Sequence, residues 1–554
     1  MLRRMPPARH WRSRGRVRAT MPPRSLSALA TVTALVIANW PISFSLARPA
    51  PHPRDDHFTL SSDCGMCHLG APGAEAMRDA DGNDVSPYYL WQGTMMANAF
   101  RDPYFRAQLQ KETEAVGPEV QELCLRCHTP MVHHEAVLAG EDPPRLAQAV
   151  ELMEADDGVS CTVCHTIADE GLGTKGTWSG RPNFDGERAI FGPFADVVTR
   201  PMQNLVGYTP KQGEHIRKAA LCATCHTLHT NHHGVEFPEQ TPYLEWRNSD
   251  FSTEREGVEP GRGRTCQQCH MARLPKTRIA RTPMGFDFRI PERAGYRAHA
   301  FVGGNAFVVD MLREHRADLY VEAEPEQLEL IAAATRTQLA KRTAKLELSP
   351  LHFEDGELQF AIRVENLTGH KFPTAYPSRR AWLRVEVLVD GEVVFASGTV
   401  DADGRLVGVE DEQRIPHVTT IAKPSDVVVY ELVAGDPDRQ PTTYLTRMSS
   451  RLKDTRLLPK GWLPTGPHAD ETAPVGVGRD EDFVAGGDRV VVKVPLATRP
   501  ADCKVRVALL YQTVPPVWVD ALRDVEAEEA QRFVRYYDQA TKKPELVDSA
   551  TAEF

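Results

Sequence analysis

Cys64-Gly-Met-Cys67-His68 opens a series of five Cys-x-x-Cys-His pentapeptides that ends at His270. The other four copies are Cys124-Leu-Arg-Cys127-His128, Cys161-Thr-Val-Cys164-His165, Cys222-Ala-Thr-Cys225-His226 and Cys266-Gln-Gln-Cys269-His270. Together they use ten of the eleven cysteines in the 554-residue chain. Since roughly 0.01 copies are expected by chance at this content of Cys and His, the pattern must serve a chemical purpose.

This pentapeptide is the attachment site of c-type haem. Its two thiols, three positions apart, each form a thioether to a haem vinyl group, and the next residue places an imidazole under the iron as the proximal ligand. The chain is therefore predicted to carry five haem c groups, bound by the ten motif cysteines and ligated by His68, His128, His165, His226 and His270. Zinc sites and disulfides are the alternatives, but neither requires a histidine directly after every second cysteine.

The N-terminus independently predicts export. Residues 1–24 hold many arginines and no acid, and an apolar run follows from Leu26 to Ala38. Ser45-Leu46-Ala47 then resembles a cleavage site, so residues 1–47 are predicted to be a secretory signal peptide. The apolar run is shorter than the roughly 20 residues of a membrane span. We expect a periplasmic or otherwise exported protein without a transmembrane span after cleavage; an uncleaved anchor is the alternative.

The five motifs are packed closely along the chain, at about 40 residues per motif. So little chain cannot build a large side-chain core, and the haems must therefore supply much of the core and lie close together. Residues 48–320 are predicted to form a pentahaem domain, mostly of helices and loops. Asp102–Lys111 is one of its expected helices.

Beyond this region the hydrophobic period changes. Residues 321–342 are predicted to form a connecting helix, because apolar residues follow helical spacing from Pro325 to Arg342. Residues 343–515 alternate with period two and predict a β-sandwich-like domain, and residues 516–554 a C-terminal helix and tail. The predicted strands are Lys345–Leu348, Leu358–Glu365, Ala381–Val389, Glu392–Ser397, Val427–Leu432, Arg489–Val494 and Lys504–Tyr511. The expected fold class is thus α+β and multidomain.

Two further segments resemble a known group of proteins. Tyr89-Leu-Trp91-Gln-Gly-Thr94-Met-Met96-Ala97 is similar to the element Trp-x-x-Ser-x-His-Ala, and Cys127-His128-Thr-Pro130-Met-Val-His133-His134 to Cys-His-Gly-Pro followed by a distal His. Both elements occur in the superfamily of multihaem c-type cytochromes that includes the tetrahaem cytochrome of ammonia oxidisers, pentahaem nitrite reductase and octahaem hydroxylamine oxidoreductase. The resemblance covers about residues 60–310.

Two departures from that superfamily bear on function. Met96 stands where the family has a histidine, so it is either a thioether ligand of one haem or a packing residue. All five motifs end in His, whereas pentahaem nitrite reductases carry Lys at their catalytic haem. The resemblance therefore does not support nitrite reduction.

The sixth position of each iron needs either a protein ligand or an open site. The leading candidates for distal ligands, besides Met96, are His134 (with its neighbour His133 as rival), His299, His215 and His370. His370 lies in Asn366-Leu-Thr-Gly-His370-Lys-Phe-Pro-Thr, which is similar to an element that follows the haem region of many multihaem cytochromes, and Lys453-Asp454-Thr-Arg456-Leu-Leu-Pro459 resembles the same group. Weaker candidates are His57, His229, His232 and His233.

The favoured function is electron relay between redox partner proteins. A membrane respiratory complex is one of the expected partners. The alternative is a haem oxidoreductase that acts on a small nitrogen or sulfur compound at one five-coordinate haem, with Glu239, Tyr243 and Glu245 as candidate proton donors. A structural subunit of a larger respiratory assembly is the third hypothesis. The charge of −10 and the lack of a basic patch in the mature chain exclude nucleic-acid binding. Cys503, the eleventh cysteine, is expected to be a buried free thiol.

Overall fold

The computed structural model of the protein describes residues 57–184 and 186–554. The predicted signal peptide, residues 1–47, lies outside the described residues. The described residues belong to one compact unit, with a helix-rich part that carries the five motifs and a β-rich part that follows. None of the helices in this described part of the chain is long and apolar enough to cross a membrane.

The helices of the described residues are short in the motif-bearing part and longer after it. They are α1 (Ser61–His68), α2 (Pro87–Gln92), α3 (Pro103–Val116), α4 (Val120–His128), α5 (Pro130–Ala139), α6 (Leu146–Ala149), α7 (Met153–Asp156), α8 (Cys161–Thr166), α9 (Arg200–Leu205), α10 (Ala219–Ala223), α11 (Pro242–Arg247), α12 (Cys266–His270), α13 (Ala306–Glu314), α14 (Pro325–Arg342), α15 (Ala469–Thr472), α16 (Pro516–Arg523) and α17 (Glu528–Gln539).

The strands of the described residues lie mainly in the C-terminal part. They are β1 (Ala189–Gly192), β2 (Thr209–Gln212), β3 (Leu228–His232), β4 (Val235–Gln240), β5 (Ala344–Leu348), β6 (His352–Glu354), β7 (Glu357–Asn366), β8 (Arg380–Val389), β9 (Glu392–Ser397), β10 (Thr420–Ile421), β11 (Val429–Tyr430), β12 (Leu432–Gly435), β13 (Ser450–Asp454), β14 (Gly487–Pro495), β15 (Cys503–Gln512) and β16 (Glu545–Glu553).

Two five-stranded sheets form the β-rich part. One has the order β10-β14-β7-β5 with β6 added beside β7, and the other has the order β11-β8-β15-β16 with β9 beside β8. Alternate residues of both sheets point into one core, as in Ile362 and Val492 from the first and Leu383 and Val507 from the second. This shared core makes the two sheets a sandwich. Cys503 belongs to the same core and is a buried free thiol.

A second apolar core joins the two parts of the molecule. Tyr104 and Ala107 of α3 contribute to it from the helix-rich part, together with residues of α13, α14, α16 and α17. Polar bonds reinforce the contact, because buried Lys111 donates to the carbonyl of Thr443 at 2.8 Å and Glu112 accepts from the backbone N–H of Leu445 at 2.8 Å. The motif-bearing part is therefore fixed against the sandwich.

The predicted α+β fold class is confirmed, with a helical N-terminal region and a β-rich C-terminal part. The helix predicted for Pro325–Arg342 has those bounds, and the strand predicted for Glu392–Ser397 has them too. The single C-terminal helix with a tail that was predicted for residues 516–554 is instead two helices, α16 and α17, followed by strand β16. Strand β16 was not predicted because only Val547 of its nine residues is buried. Its sequence therefore lacks the alternation of apolar and polar residues that indicates a strand.

Candidate haem sites

Each Cys-x-x-Cys-His motif lies on a short helix or at its end. The helices concerned are α1, α4, α8, α10 and α12. Residues at i, i+3 and i+4 of a helix share one face, so both thiols and the imidazole of a motif face the same side. None of the eleven cysteines, all of which are among the described residues, is in a disulfide. The local fold thus presents the groups that a haem c requires.

Four of the proximal imidazoles are held in one orientation by the backbone. In each of them Nδ1 donates to a carbonyl oxygen from a distant part of the chain. The bonds are His68 to Ile279 (2.9 Å), His128 to Ala99 (2.9 Å), His165 to Phe191 (2.6 Å) and His270 to Val302 (2.6 Å). A bond of this kind fixes the tautomer and leaves Nε2 free for a metal.

His165 of the third motif faces a second imidazole. The ring of His299 lies with its centre 6.3 Å from that of His165, and the two ring planes differ by 26°. His299 Nδ1 donates to the carbonyl of Arg297 at 3.0 Å, so its Nε2 is also left for a metal. His299 lies in a loop about 130 residues after the third motif, a separation in sequence that is comparable to the length of a small domain.

His270 of the fifth motif is paired in the same way with His370. Their ring centres are 6.2 Å apart and their planes differ by 13°. His370 Nδ1 donates to the carbonyl of Lys371 at 2.8 Å. His370 belongs to the loop between β7 and β8, so the β-rich part supplies one side of this site.

Both separations fit an iron between two imidazoles. Two bonds of about 2.0–2.1 Å, the length typical of imidazole on a first-row metal, put the ring centres about 6.3–6.5 Å apart. Direct ring stacking would instead bring them closer, as for His128 on Phe105, where the centres are 3.6 Å apart. The residues present therefore fit a haem ligated by two histidines at the third and fifth motifs.

Burial keeps these imidazoles neutral, which is the form that binds metals. Burial lowers the pKa of His128 to about 4 and that of His299 to about 3. It also lowers the pKa of His68, His165 and His370. Protons would thus compete poorly with a metal for these ring nitrogens.

Cysteines of different motifs lie beside one another. The Cys161 thiol, followed by burial, raises the pKa of Cys64 well above its usual range; Cys127 does the same to Cys225, and Cys222 to Cys266. Burial raises the pKa of Cys164, and the nearby Cys225 and Cys222 add to the effect. The first site therefore adjoins the third, and the fourth adjoins the second, third and fifth.

His134, predicted as a distal ligand, meets the structural requirements of one. It is buried, and its Nε2 has no hydrogen-bond partner among the described residues. Burial lowers its pKa to about 3. The rival His133 is also buried, and neither of its ring nitrogens has a hydrogen-bond partner among the described residues, although its Nε2 lies 3.5 Å from Glu122 Oε1. Both histidines therefore stay candidates, and neither is assigned to a particular motif.

His215 and Met96 stay predictions as ligands. His215 Nε2 bonds to the carbonyl of Ile167 at 2.9 Å, and its ring packs edge-on against Phe191, whose carbonyl holds His165. The Met96 carbonyl accepts from the N–H of Val159 at 2.9 Å, just before the third motif, and its side chain is half-buried.

The weaker histidine candidates have other partners. His57 Nδ1 lies 3.1 Å from Glu135, His229 Nε2 2.5 Å from Glu471, and His232 Nδ1 donates to the Thr446 carbonyl at 2.8 Å. His233 packs edge-on against His232. These are ordinary structural contacts, and they occur both for a largely buried imidazole, that of His229 (7% exposed), and for a more exposed one, that of His57 (30% exposed).

The three candidate proton donors differ in their surroundings. Tyr243 donates to Glu254 at 2.6 Å, and Glu245 is engaged in a buried ionic network. Glu239 is buried with one carboxylate oxygen unpartnered, and burial, followed by nearby Glu112, raises its pKa to about 8. Gln108 Oε1 and Tyr376 OH are unpartnered and buried as well; no sequence pattern had pointed to these two residues.

Two comparisons with known proteins concern the family resemblance and the fold. Residues 63–166 match the family model for cytochrome c554 and c-prime. A pentahaem cytochrome c552 from Thermochromatium tepidum has a similar fold, with a TM-score of 0.53 and 17% sequence identity over 90% of this chain and 99% of that one. The resemblance to multihaem c-type cytochromes that the sequence showed is thereby confirmed, and the similarity of fold extends well beyond the matched segment.

Proposed function

We propose that this chain, a multihaem c-type cytochrome, binds five haem c groups and relays electrons between redox partner proteins. The observation that carries the proposal is the pairing of His165 with His299 and of His270 with His370 at 6.3 and 6.2 Å. An iron held on both sides by imidazole has no open position for a substrate, and bound haem then supplies one-electron chemistry.

The number of haems is supported by the uniformity of the motifs. All five lie on a short helix or at its end, and four of their imidazoles are held by the same kind of backbone bond. Cys64 lies beside Cys161, Cys127 beside Cys225, and Cys222 beside Cys266. Cys164 lies near Cys225 and Cys222, and this link between the third and fourth motifs joins all five sites into one continuous group. Such proximity suits a relay.

An exported location follows from the chemistry of attachment. Haem c is joined to its cysteines outside the bacterial cytoplasmic membrane, and residues 1–47 have the composition of a secretory signal peptide. The proposed partners are therefore periplasmic or membrane-bound redox proteins, among them a respiratory complex.

One observation favours a second candidate function, a haem oxidoreductase. The ring contacts of residues 57–184 and 186–554 place no second imidazole opposite His128 or His226 at a spacing of the kind seen in the other pairs. Glu239 has one unpartnered carboxylate oxygen. It lies near the second motif, as shown by its charge, which after burial is the largest cause of the raised pKa of Cys124. A five-coordinate haem at the second motif would have a proton donor nearby.

A redox titration of the purified protein distinguishes the two functions. For a relay, we expect five electrons per chain, rapid reoxidation by an acceptor cytochrome, and optical spectra that do not change when cyanide, nitrite or hydroxylamine is added. The relay is overturned if the reduced protein fails to reoxidise with protein acceptors but turns over nitrite or hydroxylamine.

A further inference from the structure

The loop that carries His370 is tied to the helix-rich part by a buried carboxylate. Glu245 of α11 is fully buried. Its Oε2 accepts from the backbone N–H of Lys371 at 3.0 Å and from Thr374 Oγ1 at 2.6 Å. The carbonyl of the same Lys371 accepts from His370 Nδ1 at 2.8 Å. A displacement of Lys371 would therefore turn the imidazole as well.

The side chain of Lys371 continues the connection into the sandwich. Its Nζ donates to Asp454 Oδ2 at 2.6 Å. Asp454, at the end of β13, also receives two bonds of 2.8 Å from the guanidinium of Arg456, and Arg456 Nη1 returns to Glu245 Oε1 at 3.1 Å. Two carboxylates and two cations thus form a closed ring, which we call the Glu245–Arg456 network. A third cation lies beside it, because Arg451 Nη1 is 3.7 Å from Asp454 Oδ2.

Packing places the loop against the helix-rich part at one more point. A Cβ on Gly369 would lie 3.2 Å from Trp246 Cδ1 and 3.1 Å from Phe251 Cβ. The residue before His370 therefore approaches these two aromatic side chains more closely than a larger residue would easily allow. The loop is held by contact on one side of His370 and by the Glu245–Arg456 network on the other.

A buried ionic network of this kind adds little to the free energy of unfolding compared with apolar packing. The side chains of Glu245, Lys371 and Asp454 are 0% exposed and that of Arg456 is 6% exposed. Removing charges from water is costly, and well-packed apolar residues of similar volume often stabilise a protein as much, whereas loss of one partner leaves a buried charge unpaired and is strongly destabilising. Burial alone would raise the pKa of Asp454, but Arg456 and Lys371 outweigh it and hold that pKa well below its usual range. Asp454 therefore stays ionised.

We propose that the Glu245–Arg456 network positions His370 at the sixth coordination position of the haem attached at Cys266 and Cys269. Ligands of metals commonly depend on groups behind them for orientation, and here those groups come from both parts of the molecule. This inference rests on the proposed function in taking His370 as a ligand. It also assigns a role to the Asp454-Thr-Arg456 element, for which the sequence suggested none.

The test uses ferric holoprotein and two variants of the network. Asp454→Asn is expected to produce a high-spin signal in electron paramagnetic resonance worth up to one haem in five, with the other low-spin signals unchanged. Added imidazole should restore the low-spin state, because only the sixth position is disturbed. Glu245→Gln should have the same effect to a smaller extent, and it alone decides the outcome if Asp454→Asn does not accumulate as folded protein.

A matched control separates positioning from loss of a buried ion pair. Glu431 pairs with Lys453 at 2.9 Å, both side chains are 10% exposed, and Lys453 neighbours Asp454 in β13. The haems that are low-spin in the parent protein should therefore stay low-spin in Glu431→Gln. If Glu431→Gln opened a haem as readily as Asp454→Asn, the effect would be general and the inference would be overturned.

His370→Ala distinguishes failure of this inference from failure of the proposed function. If His370→Ala gives a high-spin haem but both network variants keep the parent spectrum, the network does not position the ligand. If His370→Ala itself leaves the spectrum unchanged, His370 is not a ligand and the bis-histidine assignment at the fifth motif fails.

Discussion

A His299→Ala variant is expected to convert one haem, the one attached at Cys161 and Cys164, from low-spin to high-spin. His165 stays on the proximal side, held by the carbonyl of Phe191, while the imidazole 6.3 Å away is lost. The remaining five-coordinate iron should bind added imidazole or cyanide, which the parent haem at this site cannot do. The measurement is electron paramagnetic resonance with optical spectra of the ferric protein.

His352→Ala is the matched control for this variant. His352 is an exposed imidazole of β6 whose only bond is a 3.4 Å contact to Glu354 among the described residues, and its loss should leave all haem signals as they are. A His299→Ala protein with the parent spectrum and no affinity for imidazole would show that His299 is not a ligand.

Withholding haem is expected to unfold the helix-rich part while the sandwich persists. The apolar core of the sandwich contains twenty-eight buried residues, all between Leu339 and Val547. The clusters beside the motifs are much smaller, for example seven buried residues around Trp178 and three around Phe58. Cofactor binding supplies folding free energy where side chains alone do not, so the motif-bearing part should lose its structure without haem.

Limited proteolysis of protein made in the cytoplasm without residues 1–47 tests this expectation. Cleavage should occur first between about residues 57 and 300, where the side-chain core is thin, and a fragment that begins near Pro325 should persist, as expected for locally unstable and stable units. Holoprotein treated in parallel should resist cleavage throughout. Equal resistance of both forms over the whole chain would mean that the haems contribute little to the core.

The haem attachment groups were predictable from sequence because their chemistry is local. Two thiols and an imidazole within five residues must share a helical face. The strands of the sandwich were predictable from their alternation of apolar and polar residues, as in β7 and β15. The helix of residues 325–342 was predictable because Pro325 starts it and its apolar residues keep helical spacing.

The pairing of each candidate distal histidine with a particular motif was not predictable in the same way. His299 and His370 were named as candidates, but their partners, His165 and His270, lie about 130 and 100 residues away along the chain, on the order of a domain length. The carbonyls that orient the imidazoles, such as those of Ile279 and Phe191, leave no signal at all, since every residue has a carbonyl. The ionic network around Glu245 was missed because its four charges look like ordinary surface residues in sequence.

Electron paramagnetic resonance of the ferric holoprotein tests the central claim, that protein imidazoles close both sides of at least two irons, most directly. The planes of the paired imidazoles differ by only 26° and 13°, and near-parallel planes split the iron d orbitals strongly. We therefore expect at least two rhombic low-spin signals, one lost in His299→Ala and another in His370→Ala. A spectrum that is high-spin for all haems, or low-spin signals that survive both substitutions unchanged, would contradict the account.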